Sequence, residues 1–144
     1  MPYVMVDVES DGPIPGDYSM VSFGAVIVEP ALDRTFYGKL KPISDKFIPE
    51  ALAVSGFARE ETLAFDEPAS VMEAFRSWLG ENCRGRTMFI SDNNGFDWHF
   101  TNWYFHHFTR GARWFICSHR ISTIRPRYQL RLVTHDFEAL LRPR

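Results

Sequence analysis

The chain opens on runs of β-branched and aromatic residues separated by short polar breaks. Residues 3–9 predict a strand with Tyr3, Met5, Asp7 and Glu9 on one face and Val4, Val6 and Val8 on the other. The segment DGPIPGD, rich in Gly and Pro, predicts a loop. A second apolar run, MVSFGAVIVE at 20–29, and a third with alternation, RTFYGKLKP, are joined by the short turn EPALD. Three strands on short turns predict an antiparallel meander with the first strand interior.

The period then changes. FIPEALAVSGFAREETLAF carries a helical signal with Pro49 near its start and Gly56 as a break. DEPASVMEAFRSWLGENC places Val71, Phe75, Trp78 and Leu79 on one helical face, starting at Pro68 and ending near Gly80. RTMFIS predicts a fourth strand. GFDWHFTNWYFHHF predicts a helix with Phe96, Phe100, Trp103 and Phe108 along an apolar stripe. Its remaining rings, including Trp98 and Tyr104, read mostly as core or as a homodimer contact. His106 and His107 are adjacent, point apart on a helix and share no metal. Past Arg110 the period degrades, leaving one or two strands interrupted by Pro126 and a short last helix from Thr134. The pattern predicts a mixed sheet with packed helices, an α/β or α+β layout.

Composition narrows the class. At 144 residues with 45% apolar content, the chain is long enough for one domain with its own core. Cys83 and Cys117 lie in no C-x-x-C pair and have no His at zinc spacing, which fits a reduced, cytoplasmic protein. The opening residues lack the basic start of a signal peptide, and no apolar run reaches membrane-spanning length. Charge is unevenly spread. Residues 1–109 hold 8 Lys and Arg against 16 Asp and Glu, a balance of −8; residues 110–144 hold 8 Arg against Asp136 and Glu138, a balance of +6. The acidic part excludes a protein that holds nucleic acid by bulk charge. The basic segment either supplies phosphate contacts or is a solvated, partly ordered end. The organisation expected is therefore a core over 1–109 and a basic C-terminal segment over 110–144, either part of the same domain or an atypical, partly ordered tail.

Asp7 and Glu9 are the candidate chemistry. They sit roughly 6.6 Å apart along one strand face. At that distance two bare charges repel by about 2.5 kcal/mol at an effective dielectric of 20. A strand carries both if one is protonated, if its end opens into water, or if a cation neutralises them; carboxylate oxygens are ligands that Mg²⁺ and Mn²⁺ prefer. Acids at a strand end that simply face solvent are the plain alternative. Asp97, at the start of the aromatic helix, adds a third carboxylate, and the helix dipole there is expected to favour its ionised form.

In order and spacing, VDVESDG, PEALAVSGFAREET and DNNGFDWHF resemble the DEDD family of 3′–5′ exonucleases (the ribonuclease T, oligoribonuclease and proofreading-subunit group), across about residues 3–108. Asp7 and Glu9 match the family's D-x-E motif. Asn94, Phe96 and Asp97 match its second acidic motif, and Pro49, Ala51, Gly56 and Phe57 match the segment beside the terminal nucleotide. The resemblance implies a ribonuclease H-like fold and two Mg²⁺ or Mn²⁺ ions on Asp7, Glu9, Asp97 and a fourth acid. It also implies a His as general base, and a single-stranded 3′ end, RNA favoured over DNA, held near Gly56 and Phe57 and shortened to nucleoside monophosphates.

The family's last motif, H-x-x-x-x-D, is not matched: His135 is followed five residues on by Leu140. Three accounts stay open. Asp136 substitutes as metal ligand with His135 beside it as base; the site is incomplete and activity is impaired; or the tail is not the family's tail, as an altered reading frame would produce. The rival functions are a catalytically inactive binding or interaction module of the same fold, and a phosphatase using Asp7 as nucleophile. The phosphatase would want a downstream Lys, and none occurs after Lys46.

Overall fold

A computed structural model describes residues 1–110 and 115–120, the last five of these through their backbone. The elements run β1 (Tyr3–Ser10), β2 (Met20–Ile27), β3 (Thr35–Lys39), α1 (Pro49–Ser55), α2 (Arg59–Thr62), α3 (Pro68–Asn82), β4 (Thr87–Ser91), α4 (Asn94–Phe108) and β5 (Phe115–Arg120). They form one five-stranded sheet in the order β3-β2-β1-β4-β5. β1, β2 and β3 pair antiparallel; β1, β4 and β5 pair parallel. The meander, the interior first strand and the added parallel strand agree with the sequence reading. β5 carries the sheet past residue 109.

Strand alternation sorts the core. Val4, Val6 and Val8 join Phe23, Phe75, Leu79, Phe100 and Tyr104 in the main cluster, which places α3 and α4 over that face. Met5, Val26 and Ile90 form a smaller cluster on the opposite face, ringed by Tyr3, Val28, Leu32 and Met88. Gly38 lies where α3 crosses β3: a Cβ there would meet Val71 Cγ1 at 2.5 Å. The close fit of helix to strand depends on that missing side chain.

Two helices differ from expectation. α3 runs through Gly80 to Asn82, and the Cys83 amide closes it on the Leu79 carbonyl at 2.8 Å. Gly80 is not among the glycines with positive φ, so it keeps helical backbone and the helix ends two residues beyond it. In α4 the buried positions are Asp97, Phe100, Thr101, Tyr104 and Phe105, whereas Phe96, Trp103 and Phe108 only pack against the core from its margin. The expected stripe was rotated, because aromatic residues surround this helix and its pattern has little direction. Tyr104 is fixed by more than packing: its hydroxyl oxygen accepts the Met20 amide hydrogen at 2.8 Å. That amide lies where the β1–β2 register shifts, between Glu9 and Ser10.

The short last helix expected from Thr134, together with His135 and Asp136, lies outside the described residues. No helix among the described residues is long and apolar enough to cross a membrane.

Candidate active site

The carboxylates come from the C-terminal half of the central strand β1 and from the first turn of α4, at the same end of the sheet. β4 pairs with β1 only as far as Ile90 opposite Met5. After Ser91 the chain turns into α4, so the later amides of β1 have no strand partner on that side. Asp97, in the first turn of α4, takes the place of a strand: its Oδ1 accepts the Val8 amide hydrogen at 3.2 Å. This bond ties residues 89 apart in sequence and sets the second acidic motif beside the first. The side chain that does it is 2% exposed.

Burial pushes the Asp97 carboxyl from an ordinary 3.8 up to about 7; the nearby Asp7 charge adds to the rise, and the Val8 amide works against it. The sequence reading expected the helix dipole to favour the ionised form. The correction is physical: loss of water around the carboxylate, with a second carboxylate at hand, outweighs a half-charge at a helix end. Asp7 and Glu9 are both half-buried and keep the shared strand face that alternation predicts. The structure therefore brings Asp7 and Asp97 into electrostatic contact, with Glu9 two residues along the same strand. Among the described residues no three His, Cys, Asp or Glu side chains close into a metal-binding group.

Gly56 and Phe57 lie at the break between α1 and α2. Gly56 has φ of +78° and caps α1 through its amide to the Ala53 carbonyl at 3.1 Å. Nothing lies within 4 Å of where its Cβ would be, so the backbone turn selects glycine here, not a close approach. The turn projects Phe57 onto Phe65, edge to face with centroids 5.0 Å apart.

One pair had no signal in the sequence. Asp11, just past Glu9, is fully buried and accepts from the Ser19 amide at 2.6 Å and from the Arg59 guanidinium at 2.8 Å. Burial raises its carboxyl, while Ser19 and Arg59 pull it back. Arg59 also donates to the Ser44 carbonyl at 2.6 Å and lies over the Phe47 ring. Four separate segments are thereby clamped at the acidic end of β1. Residues 48 positions apart leave no spacing pattern to detect.

No family model matches the chain. A protein named 3′-5′ DNA exonuclease Cap18, from Escherichia coli, is 43% identical over 109 residues, covering 72% of this chain and 57% of its own length. This chain belongs with the DEDD-type 3′–5′ exonucleases. It spans little more than half of that curated relative. Solved structures of exonuclease I share the ribonuclease H-like fold. One superposes with a TM-score of 0.65 at 19% identity, covering 83% of this chain and 27% of the other. A zinc-bound complex of the E. coli enzyme with single-stranded DNA gives 0.59 at 20% identity, over 73% and 23%. At such identities these exonuclease structures establish the shared fold and nothing finer.

Proposed function

We propose that the chain is the nuclease domain of a divalent-metal-dependent 3′–5′ exonuclease that removes nucleoside monophosphates from single-stranded DNA. The observation that carries this reading is the Asp97–Val8 bond, which sets the Asp97 carboxylate near Asp7 at the C-terminal end of the central strand. A carboxyl pushed up to about 7 by burial, with a neighbouring carboxylate adding to the rise, is a group that a divalent cation would relieve. The donors are hard oxygens, the type Mg²⁺ and Mn²⁺ take. Asp7, Glu9 and Asp97 would hold the metal, Glu9 turning inward to complete the set. When bound, such ions supply an activated water and charge stabilisation for phosphodiester hydrolysis. The family's last motif is unmatched, and His135 as general base with Asp136 as fourth ligand is the substitution the tail offers for it. Gly56 and Phe57 are assigned to the terminal nucleotide. The expected preference for RNA finds no support among the relatives, whose names specify DNA.

A second reading has its own observations. The family's last acidic motif is absent from the sequence, and no three-ligand group is closed among the described residues. A ribonuclease H-like module that binds single strands without cutting them fits both. The two readings separate in a degradation assay with 5′-labelled oligonucleotides and Mg²⁺ or Mn²⁺. The enzyme reading predicts a ladder shortening from the 3′ end for wild type and none for Asp97→Ala. Intact DNA with either protein would leave only the binding module.

A further inference from the structure

We propose that Lys39, Phe57 and Phe65 form a subsite that grips a nucleotide of single-stranded DNA beside the metal-binding acids. The proposal rests on the nuclease reading and adds to it the phosphate contact and the second ring. Three independent placements lead to it. The first is register. Glu9 pairs with Ser22, and Ser22 pairs with Lys39. Residues in register across a sheet share a face, so Lys39 stands on the face of Asp7 and Glu9. It lies two strands, or about 10 Å, from Glu9, of the order of one nucleotide's reach.

The second placement is aromatic. The Lys39 Nζ is 5.3 Å from the Phe57 centroid and 5.2 Å from that of Phe65. The Gly56 turn delivers one ring. The other arrives because the next residue, Asp66, bridges to Leu40 and takes the Lys41 amide on its carbonyl, extending the β3 edge. Both rings are half-buried, leaving area for a base to stack.

The third is charge. Residues 1–109 carry eight cations. Arg34, Lys41, Lys46, Arg59 and Arg76 are ion-paired with carboxylates among the described residues. Arg84 and Arg86 precede Thr87 and sit at the far end of the parallel pair β1–β4. Within residues 1–109, Lys39 is thus the cation at the acidic end of the sheet for which no ion pair occurs among the described residues. Its neighbours are π faces, which hold an ammonium without cancelling its charge. A cation beside two rings, next to acids suited to metal, suits an anionic phosphodiester bearing a base. It does not suit an acidic peptide, which would lack the stacking partner.

The test is binding of a short fluorescein-labelled oligo-dT to the full chain in EDTA, which stops hydrolysis, across a series of salt concentrations. Wild type should bind with a measurable salt slope. Lys39→Gln should lower the magnitude of that slope by about 0.7, the value for one lost phosphate contact on a single strand; Lys39→Arg should retain it. Phe65→Ala should weaken binding by about 5- to 100-fold with the slope unchanged, and Phe65→Leu, which keeps apolar bulk, should weaken it in the same sense. Unchanged thermal midpoints show that the variants are folded. If wild type binds and degrades DNA while Lys39→Gln and Phe65→Leu bind as wild type does, the subsite is wrong and the nuclease reading stands. If wild type fails to bind oligo-dT even at low salt, both fall.

Discussion

Replacing Asp97 with Asn should stabilise the metal-free protein at alkaline pH while removing its response to divalent cations. Folded and unfolded chains hold the Asp97 proton to different pH values: to about 7 in the fold, to about 3.8 in the unfolded chain. Between these values the folded state binds more protons, so stability falls as pH rises through the window and stays low above it. Roughly three pH units at about 1.4 kcal/mol each give an upper bound near 4 kcal/mol for the cost of the buried charge. Asn retains a carbonyl oxygen for the Val8 amide and carries no charge. Its NH₂ needs a partner that the carboxylate did not, which returns about 1–2 kcal/mol of that gain. The net expectation at pH 8 in EDTA is a gain of about 2 kcal/mol, or roughly 4–8 °C in Tm for a chain of this size. At pH 4, where Asp97 is protonated in the fold and half protonated when unfolded, the gain should vanish or reverse. Thermal and urea melts at the two pH values measure it. Adding Mn²⁺ should raise the wild-type midpoint and leave the variant's unmoved. A variant destabilised equally at both pH values would refute the claim that Asp97 is a buried, charge-strained carboxylate.

Removing the guanidinium in Arg59→Ala strands the buried Asp11 and should cost about 3 kcal/mol at pH 8 in urea unfolding. The loss should shrink as the pH is lowered and the buried Asp11 takes up a proton, whereas Lys41→Ala, which breaks an exposed pair with Glu67, should cost under about 1 kcal/mol. Gly38→Ala drives a methyl against Val71 and should cost about 1–3 kcal/mol, part of it recovered in the Gly38→Ala/Val71→Ala double variant. Tyr104→Phe leaves the Met20 amide without its acceptor and should cost about 1–3 kcal/mol with no change in the oligo-dT salt slope.

Local rules carried much of the fold. The alternation at Tyr3–Glu9 predicts a strand with acids on one face, and β1 has that form at the centre of the sheet. Gly56 was legible as a break because a left-handed turn separates α1 from α2. Where every position looks alike, pattern failed. The aromatic α4 offered no polar face by which to tell Tyr104 and Phe105, which are buried, from Phe96 and Trp103 at the margin. Gly80 lies two residues short of the helix end because a glycine caps a helix only where its backbone turns left-handed, and Gly80 does not. In the candidate site, the motif pointed to Asp97, which the fold sets near Asp7, yet its raised pKa was not legible. Burial depends on how α4 meets the edge of β1, a long-range fact that the helix-dipole rule ignores. The Asp11–Arg59 clamp and the Lys39–Phe65 approach were invisible for the same reason: each joins segments whose neighbourhood only the closed sheet creates.

The central claim is that Asp7, Glu9 and Asp97 act together on divalent cations. Isothermal titration of the full chain with Mn²⁺ at pH 8 tests it most directly. Saturable heat for wild type, abolished by Asp7→Asn and by Asp97→Asn with both variants folded, is the predicted result. Heats for wild type no different from those of the two variants would contradict the claim.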